Sequence, residues 1–248
     1  PYILCAPHIG AEFSDADTLA LDLGLDGDSP ERISAAVCFE LQHNAGNGHV
    51  FIPREKLILA TAQLLDIEPG AVESGLDELL RRGDVVEQSV AGCEACYLKD
   101  LYEAERSSAE RLSAMAAARF SCKQDFSELL GGIERAQGIT YAPQQRKTLE
   151  TASRSQLMLI TGGPGTGKTT VMSGILALFD ALKIKTQLAA PTGRAAKRLS
   201  EVTGREASTI HRLLEAQFDE ATGRMAFFHD EDAPLACDAM IVDETSMV

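Results

Sequence analysis

The apolar positions of this chain follow two regimes, and the change between them falls near Thr140. Upstream, stretches with helical character dominate. Residues 1–27 read as two short helices, over residues 2–6 and 14–23, joined at His8-Ile9-Gly10 and stopped at Gly24. Ser29-Pro30-Glu31 is a helix start, with a capping hydroxyl, a proline in the first turn and an acid near the positive end. That helix is predicted to reach about His43 and to break over residues 44–48. A short strand is expected at 49–52, a helix from Pro53 to near Asp66, and another over 71–81 closed by Gly83. Residues 84–90 and 95–98 read as a two-strand hairpin. Helices followed by a hairpin suggest a winged-helix-like module, which binds DNA or serves as scaffold. Residues 102–119 predict a long polar-faced helix. Residues 126–136 predict a shorter one, interrupted at Gly131-Gly132.

Downstream of Thr140, strands and helices alternate, which is the signature of a parallel sheet and an α/β fold. A helix over 142–152 precedes the apolar run Leu157-Met158-Leu159-Ile160, read as a strand. After a glycine-rich turn, Val171, Met172, Ile175, Leu178, Phe179 and Leu182 share one helical face. Residues 186–190 form the next predicted strand, and Thr209 is expected to cap a helix starting at Ile210. Residues 217–229 look like a hairpin turning at Ala221-Thr222-Gly223. Ala239-Met240-Ile241-Val242 is a fully apolar strand, predicted to be buried, that delivers Asp243 and Glu244 at its end.

The chemistry concentrates at the strand, loop and helix around residues 157–171. Gly162, Gly163, Pro164, Gly165, Thr166, Gly167, Lys168 and Thr169 spell G-x-x-x-x-G-K-T, with Thr170 following. The glycines allow positive φ and close backbone approach, so successive amides can face phosphate oxygens. The positive end of the following helix lies against the same anion. Lys168 can reach the β/γ-phosphates and the Thr169 hydroxyl can ligate Mg²⁺. A glycine-rich turn beside a chance lysine is the plain alternative, but the flanking strand and helix favour a nucleoside triphosphate site. Asp243 can hold Mg²⁺ opposite Thr169, and Glu244 can polarise the water that attacks the γ-phosphate. An acidic pair ending one apolar strand is weak by itself; behind a full phosphate loop it points to hydrolysis of ATP or GTP.

Composition narrows the setting. The chain has 248 residues, enough for one large domain or two smaller ones. No apolar run is long enough to span a membrane, and the opening residues lack the basic flank of a secretory signal. The absence of an initial methionine is expected to mean an internal piece of a longer protein. Six scattered cysteines suit reduced thiols and a cytoplasmic setting, and Cys93 and Cys96 form a C-x-x-C with no second pair to complete a zinc site. The net charge of −14 argues against a generally basic nucleic-acid binder. Residues 183–212 depart from it, with seven basic residues against two acidic ones. That segment can track an anion locally, or simply be a solvated helix face.

Read in order, GGPGTGKT, APTGRAAKRL, STIHRLL and IVDETSMV resemble motifs I, Ia and II of the RecD-like DNA helicases of superfamily 1, over residues 139–248. The resemblance implies a partial RecA-like P-loop NTPase sheet behind a mostly helical N-terminal region with a β-hairpin. It also implies ATP and Mg²⁺ as cofactors, and 5′-to-3′ movement on single-stranded DNA. The family's adenine-recognising glutamine would fall on Gln145, with Gln144 as the alternative. Its single-strand contacts would fall on Pro191, Thr192, Gly193 and Arg194. His211 lies in the matching stretch, where a capping and packing role competes with a functional one. Upstream, the chain is similar to the N-terminal region of the longer members, which carry helix–hairpin–helix elements. Their hairpin reads G-x-G-F-x-x-A-D. Here Glu12 stands where the second glycine belongs, and its carboxylate would repel DNA, so DNA binding is not carried over to residues 10–13.

The division expected from this reading is a helix–hairpin–helix-like element (1–27), a winged-helix-like domain (28–120), a linker helix (121–138) and a truncated RecA-like ATPase domain (139–248). Motifs III to VI and a second RecA-like domain with its arginine are expected beyond it, so residues 1–248 alone should not unwind DNA. A strand expected after the acidic one would lie between it and the phosphate-loop strand. The competing functional class is a nucleotide-gated DNA-binding or scaffold module that does not translocate.

Overall fold

A computed structural model describes residues 1–5, 9–118, 125–163, 165–219 and 224–247. Their contacts separate into two compact units, one essentially Pro1–Glu110 and the other Arg111–Asp219 with the chain from Met225 on.

In the first unit a 3-10 turn, Tyr2–Cys5, precedes α1 (Phe13–Asp22) and α2 (Pro30–Gly46). Ser29 caps α2 by accepting from the Arg32 amide at 3.4 Å. The strand β1 (Phe51–Pro53) leads into α3 (Arg54–Leu65) and α4 (Pro69–Arg82). Asp66 and Gly83 end those helices in the left-handed region. The hairpin β2 (Val85–Val90) and β3 (Cys93–Leu98) turns through Ala91 and Gly92, at φ 52° and 82°. Two successive left-handed residues match the right-handed twist of the paired strands. The antiparallel sheet has the order β1-β3-β2, with Phe51 opposite Tyr97 and Val85 opposite Leu98.

One continuous core joins Phe13 of α1 to Ile33 and Val37 of α2, Leu57 of α3, Leu76 of α4 and Val85 of β2. Beneath α1 lies Arg32, 7% exposed. Its Nε and Nη2 donate to the two Asp17 oxygens at 2.8 and 2.9 Å, and its Nη1 donates to the Gly27 and Leu65 carbonyls. The Tyr2 hydroxyl donates to the same Asp17. A buried charge needs this degree of pairing. The long helix α5 (Lys99–Ala117) follows the sheet, and its predicted end at Arg119 falls outside the described residues.

The second unit contains α6 (Phe126–Gln137), α7 (Pro143–Ala152) and α8 (Lys168–Ala181). Helix α6 runs through Gly131 and Gly132 without the predicted interruption. Leu130 and Ile133 on either side are buried against α8 residues, and that packing outweighs the poor helix propensity of glycine. Next come β4 (Thr186–Ala190), α9 (Gly193–Thr203), β5 (Ala207–Thr209), α10 (Ile210–Leu213), the ribbon β6 (Ala216–Asp219) and β7 (Arg224–Phe227), and β8 (Ala239–Val242). The predicted turn at Ala221-Thr222-Gly223 lies outside the described residues, as do Cys122 and residues 121–124 of the expected linker.

A parallel sheet of order β5-β4-β8 forms the centre of this unit, with Leu188 level with both Ala207 and Ile241. At two places the structure departs from what the apolar pattern predicts. Residues 157–160 take no strand conformation, and Leu159 is 80% exposed. The strand β8 is not buried either, and Met240 is 42% exposed. Both follow from pairing: β8 is hydrogen-bonded to β4 alone, and no described strand pairs with its other edge or with residues 157–160. An apolar run becomes a strand only when a neighbour accepts its ladder. Among the described residues no helix is long and apolar enough to cross a membrane.

Candidate active site

The phosphate loop opens directly onto α8. Gly165 and Gly167 are left-handed, at φ 76° and 82°, and there glycine is required for conformation. Gly162 and Gly163 do not share that conformation. At Gly162 the constraint is space, since a Cβ would fall 2.7 Å from the Thr166 Oγ1. Thr166 in turn donates to the Gly163 carbonyl at 2.9 Å. Pro164 lies outside the described residues. The N-cap of α8 is Gly167, so no capping side chain accepts from the first amides of this helix among the described residues. They and the helix dipole are presented to an incoming anion.

Lys168 folds its ammonium back over the loop, donating to the Gly162 carbonyl and, at 3.0 Å, to the Gly163 carbonyl. Phosphate oxygens would compete for the same ammonium with full charge. Thr169 and Thr170 follow in the first helical turn, both exposed. Gln145 reaches the loop from α7. Its Oε1 accepts from the Ala142 amide at 3.0 Å, and its Nε2 lies 2.9 Å from where a Cβ on Gly167 would stand. Gln144 is exposed, so of the two glutamines the structure sets Gln145 beside the loop.

The three parallel strands all end at one edge of the sheet, which carries Pro191–Arg194 after β4, Thr209 at the end of β5 and Asp243 after β8. The carboxyl edge of such a sheet is where ligands of open α/β folds collect. The Asp243 amide donates to the Ala189 carbonyl at 3.0 Å, extending the ladder one residue, and its Oδ1 accepts from the Glu244 amide at 2.9 Å. Glu244 turns the chain out of the sheet at φ 53° and is exposed, whereas Asp243 is half-buried. Among the described residues no hydrogen bond or ion pair joins this acidic pair to the loop. What links them is packing, with Met172 and Leu176 of α8 clustered with Leu188 of β4 and Ile241 of β8.

At the basic segment, Thr192 is occupied as the cap of α9, accepting from the Ala195 amide at 3.2 Å. Gly193 has open space around its Cα, and Arg194, Lys197 and Arg198 are exposed while Ala195, Ala196 and Leu199 are buried. The cap of α10 is Thr209, and His211 instead places its ring 6.3 Å from that of Phe227. The other motif singled out by sequence, Cys93 with Cys96, sits on β3, and no group of three metal-binding side chains occurs among the described residues.

A family model described as an AAA domain matches residues 145–248, and one described as the ATP-dependent RecD2 DNA helicase HHH domain matches residues 1–51. The ATP-dependent RecD2 DNA helicase of Deinococcus radiodurans is 31% identical over 250 residues, covering 96% of this chain and 34% of the relative. Over nearly its whole length the chain is similar to RecD-like helicases. The RecBCD enzyme subunit RecD of Mycolicibacterium smegmatis is 36% identical over 61% of the chain and 30% of that subunit. The ATP-dependent DNA helicase dda of Enterobacteria phage T4 is 42% identical over 90 residues, 36% of the chain and 20% of its own length. The chain thus spans about a third or less of the length of these relatives. The matched AAA region begins at Gln145 and takes in the phosphate loop, the basic segment and the acidic pair.

Proposed function

We propose that the protein carrying this chain is a cytoplasmic, ATP-dependent DNA helicase that moves 5′ to 3′ on single-stranded DNA, and that residues 139–248 belong to its ATPase domain, behind N-terminal parts at 1–27 and 28–120 and a linker at 121–138. The observation that carries this reading is the phosphate loop itself, open at an uncapped helix N-terminus, with Lys168 on its carbonyls and Gln145 at its rim. The names of the relatives supply DNA and unwinding as the work the hydrolysis serves.

In this mechanism the loop amides and Lys168 take the β- and γ-phosphates, and the lysine neutralises charge that develops as the γ-phosphoryl leaves. Thr169 and Asp243 are the oxygen donors assigned to Mg²⁺, which suits a hard cation that favours such ligands. Mg²⁺ would supply charge neutralisation to the triphosphate when bound. Glu244, exposed one residue past Asp243, accepts a proton from the attacking water. Gln145 reads the adenine. Pro191, Thr192, Gly193 and Arg194 hold single-stranded DNA, Arg194 through phosphate and Thr192 through its backbone, because its hydroxyl is engaged as a cap.

The test is strand displacement by the protein carrying this chain, on duplexes with a 5′ or a 3′ single-stranded tail. Displacement from the 5′ tail alone, dependent on ATP, is expected. Nucleotide-dependent DNA binding with no displacement from either tail would replace this reading with a gated binding module.

A further inference from the structure

Helix α7 is held against α8 by contacts that no phosphate-loop motif specifies. Gly167, the N-cap of α8, and Gly174 within the helix stand seven residues apart, and both lie on the side that meets α7. Gln145 and Leu149 are likewise one turn apart on α7. The two faces meet. The Gln145 Nε2 lies against Gly167, while a Cβ on Gly174 would fall 2.7 Å from the Tyr141 Oη and 2.9 Å from the Leu149 Cδ2. Tyr141 and Leu149 are 2% and 0% exposed, so neither can swing aside into solvent.

A second set of bonds fixes the start of α7 from the α6 side. The Glu134 Oε1 accepts from the Tyr141 amide at 2.9 Å, and the Arg146 Nη2 donates to both Glu134 oxygens at 2.7 and 2.9 Å. The Arg146 Nε donates to the Tyr141 carbonyl at 3.1 Å, and the Tyr141 hydroxyl donates to the Gln137 Oε1 at 2.5 Å. Both backbone groups of Tyr141 are therefore clamped four residues before Gln145. An exposed ion pair between helices has little to offer stability alone. This one spans the turn that aims a single amide at the loop.

We propose that Glu134, Arg146 and Gly174 are positioning residues for Gln145, and that together they set the preference of the site for adenine nucleotides. The proposal rests on the assignment of Gln145 to the base. An amide carries a donor and an acceptor side by side, which pairs with the amino group and ring nitrogen on one edge of adenine. Guanine presents two acceptors on that edge and is disfavoured only while the amide is held in place. Displacing such a group by about an ångström costs much of its effect.

The experiment measures equilibrium binding of fluorescent N-methylanthraniloyl ATP and GTP, together with KM and kcat for both nucleotides, in the protein that carries this chain. Gln145→Ala is expected to reduce the ATP preference about tenfold. Gly174→Ala and Glu134→Ala are expected to lose a comparable part of it, through binding and KM, with kcat for ATP within about twofold. Glu134→Ala combined with Gln145→Ala should add less than about twofold to Gln145→Ala alone, because both act through one amide. Should Gly174→Ala fail to fold, Glu134→Gln and Arg146→Lys carry the test, each with a smaller loss of preference. If Gln145→Ala removes the preference while the positioning variants lower only the melting temperature, the proposal is overturned and the role of Gln145 stands. If Gln145→Ala itself leaves the preference intact, the base assignment fails and the proposal fails with it.

Discussion

At the scale of single residues, charge placement makes the sharpest demands. Lys168→Ala should leave the loop without the cation that now lies across its carbonyls, and ATPase and unwinding are expected to fall together by at least about a hundredfold. Steady-state phosphate release and strand displacement on the same preparation check this, and near-normal turnover would remove Lys168 from the mechanism. Glu244→Gln keeps size and turn geometry while losing the proton acceptor, so nucleotide affinity should persist while kcat collapses. Equal loss of both would make Glu244 structural or a metal ligand. Asp17 carries a different prediction. The hydrogen-bonded Arg32 guanidinium, with help from the Tyr2 hydroxyl, holds its carboxyl below the usual carboxylate range despite burial. A depressed folded value stabilises fully above the unfolded aspartate range, roughly pH 4, and that contribution is lost as pH falls through the folded value. Asp17→Asn should cost about 3 kcal/mol at neutral pH by leaving Arg32 buried without its counter-charge. Melting followed down to pH 3 should show an acid-dependent loss in the wild type that the variant lacks.

At the scale of elements, burial decides reactivity. Cys38 on α2 and Cys96 on β3 both pack into or against the core of the first unit. Desolvation pushes their thiols up to about 11 and about 12. Both should stay unalkylated by iodoacetamide at pH 8 in the native state and react on unfolding, as read by peptide mass mapping. Rapid native labelling of Cys96 would show that the hairpin opens. The sign of the linkage is the reverse of that at Asp17. Unfolded thiols ionise near pH 8.5 and the folded ones do not, so stability should decline as pH rises above that value. The elements also show where local signals carry. The caps at Ser29 and Thr209 sit where their sequences predict, because a hydroxyl and an amide three residues on need no distant partner. The hairpin of residues 84–98 was legible for a similar reason, since Ala91 and Gly92 make the turn locally.

At the scale of the whole molecule, charge is divided unevenly. Acidic residues heavily outnumber basic ones before Arg111, while the two signs balance after it. Single-stranded DNA should therefore be held through the second unit, with Arg194, Lys197 and Arg198 exposed on α9. Arg194→Ala is expected to lower the slope of log affinity against log salt by about one. Binding isotherms across a salt series check this, and an unchanged slope would place the phosphate contact elsewhere. The sequence alone determined the phosphate loop, the acidic pair and the helix caps, because each is written in residues a few positions apart. It did not reveal β5, the unbroken α6, or the exposure of residues 157–160. Those outcomes depend on which strand lends a ladder to which, and on apolar partners far along the chain. Nor did it reveal how Gln145 is seated: Glu134, Arg146 and Gly174 come from three helices and Tyr141 from the turn before α7, and only their packing brings that amide to Gly167.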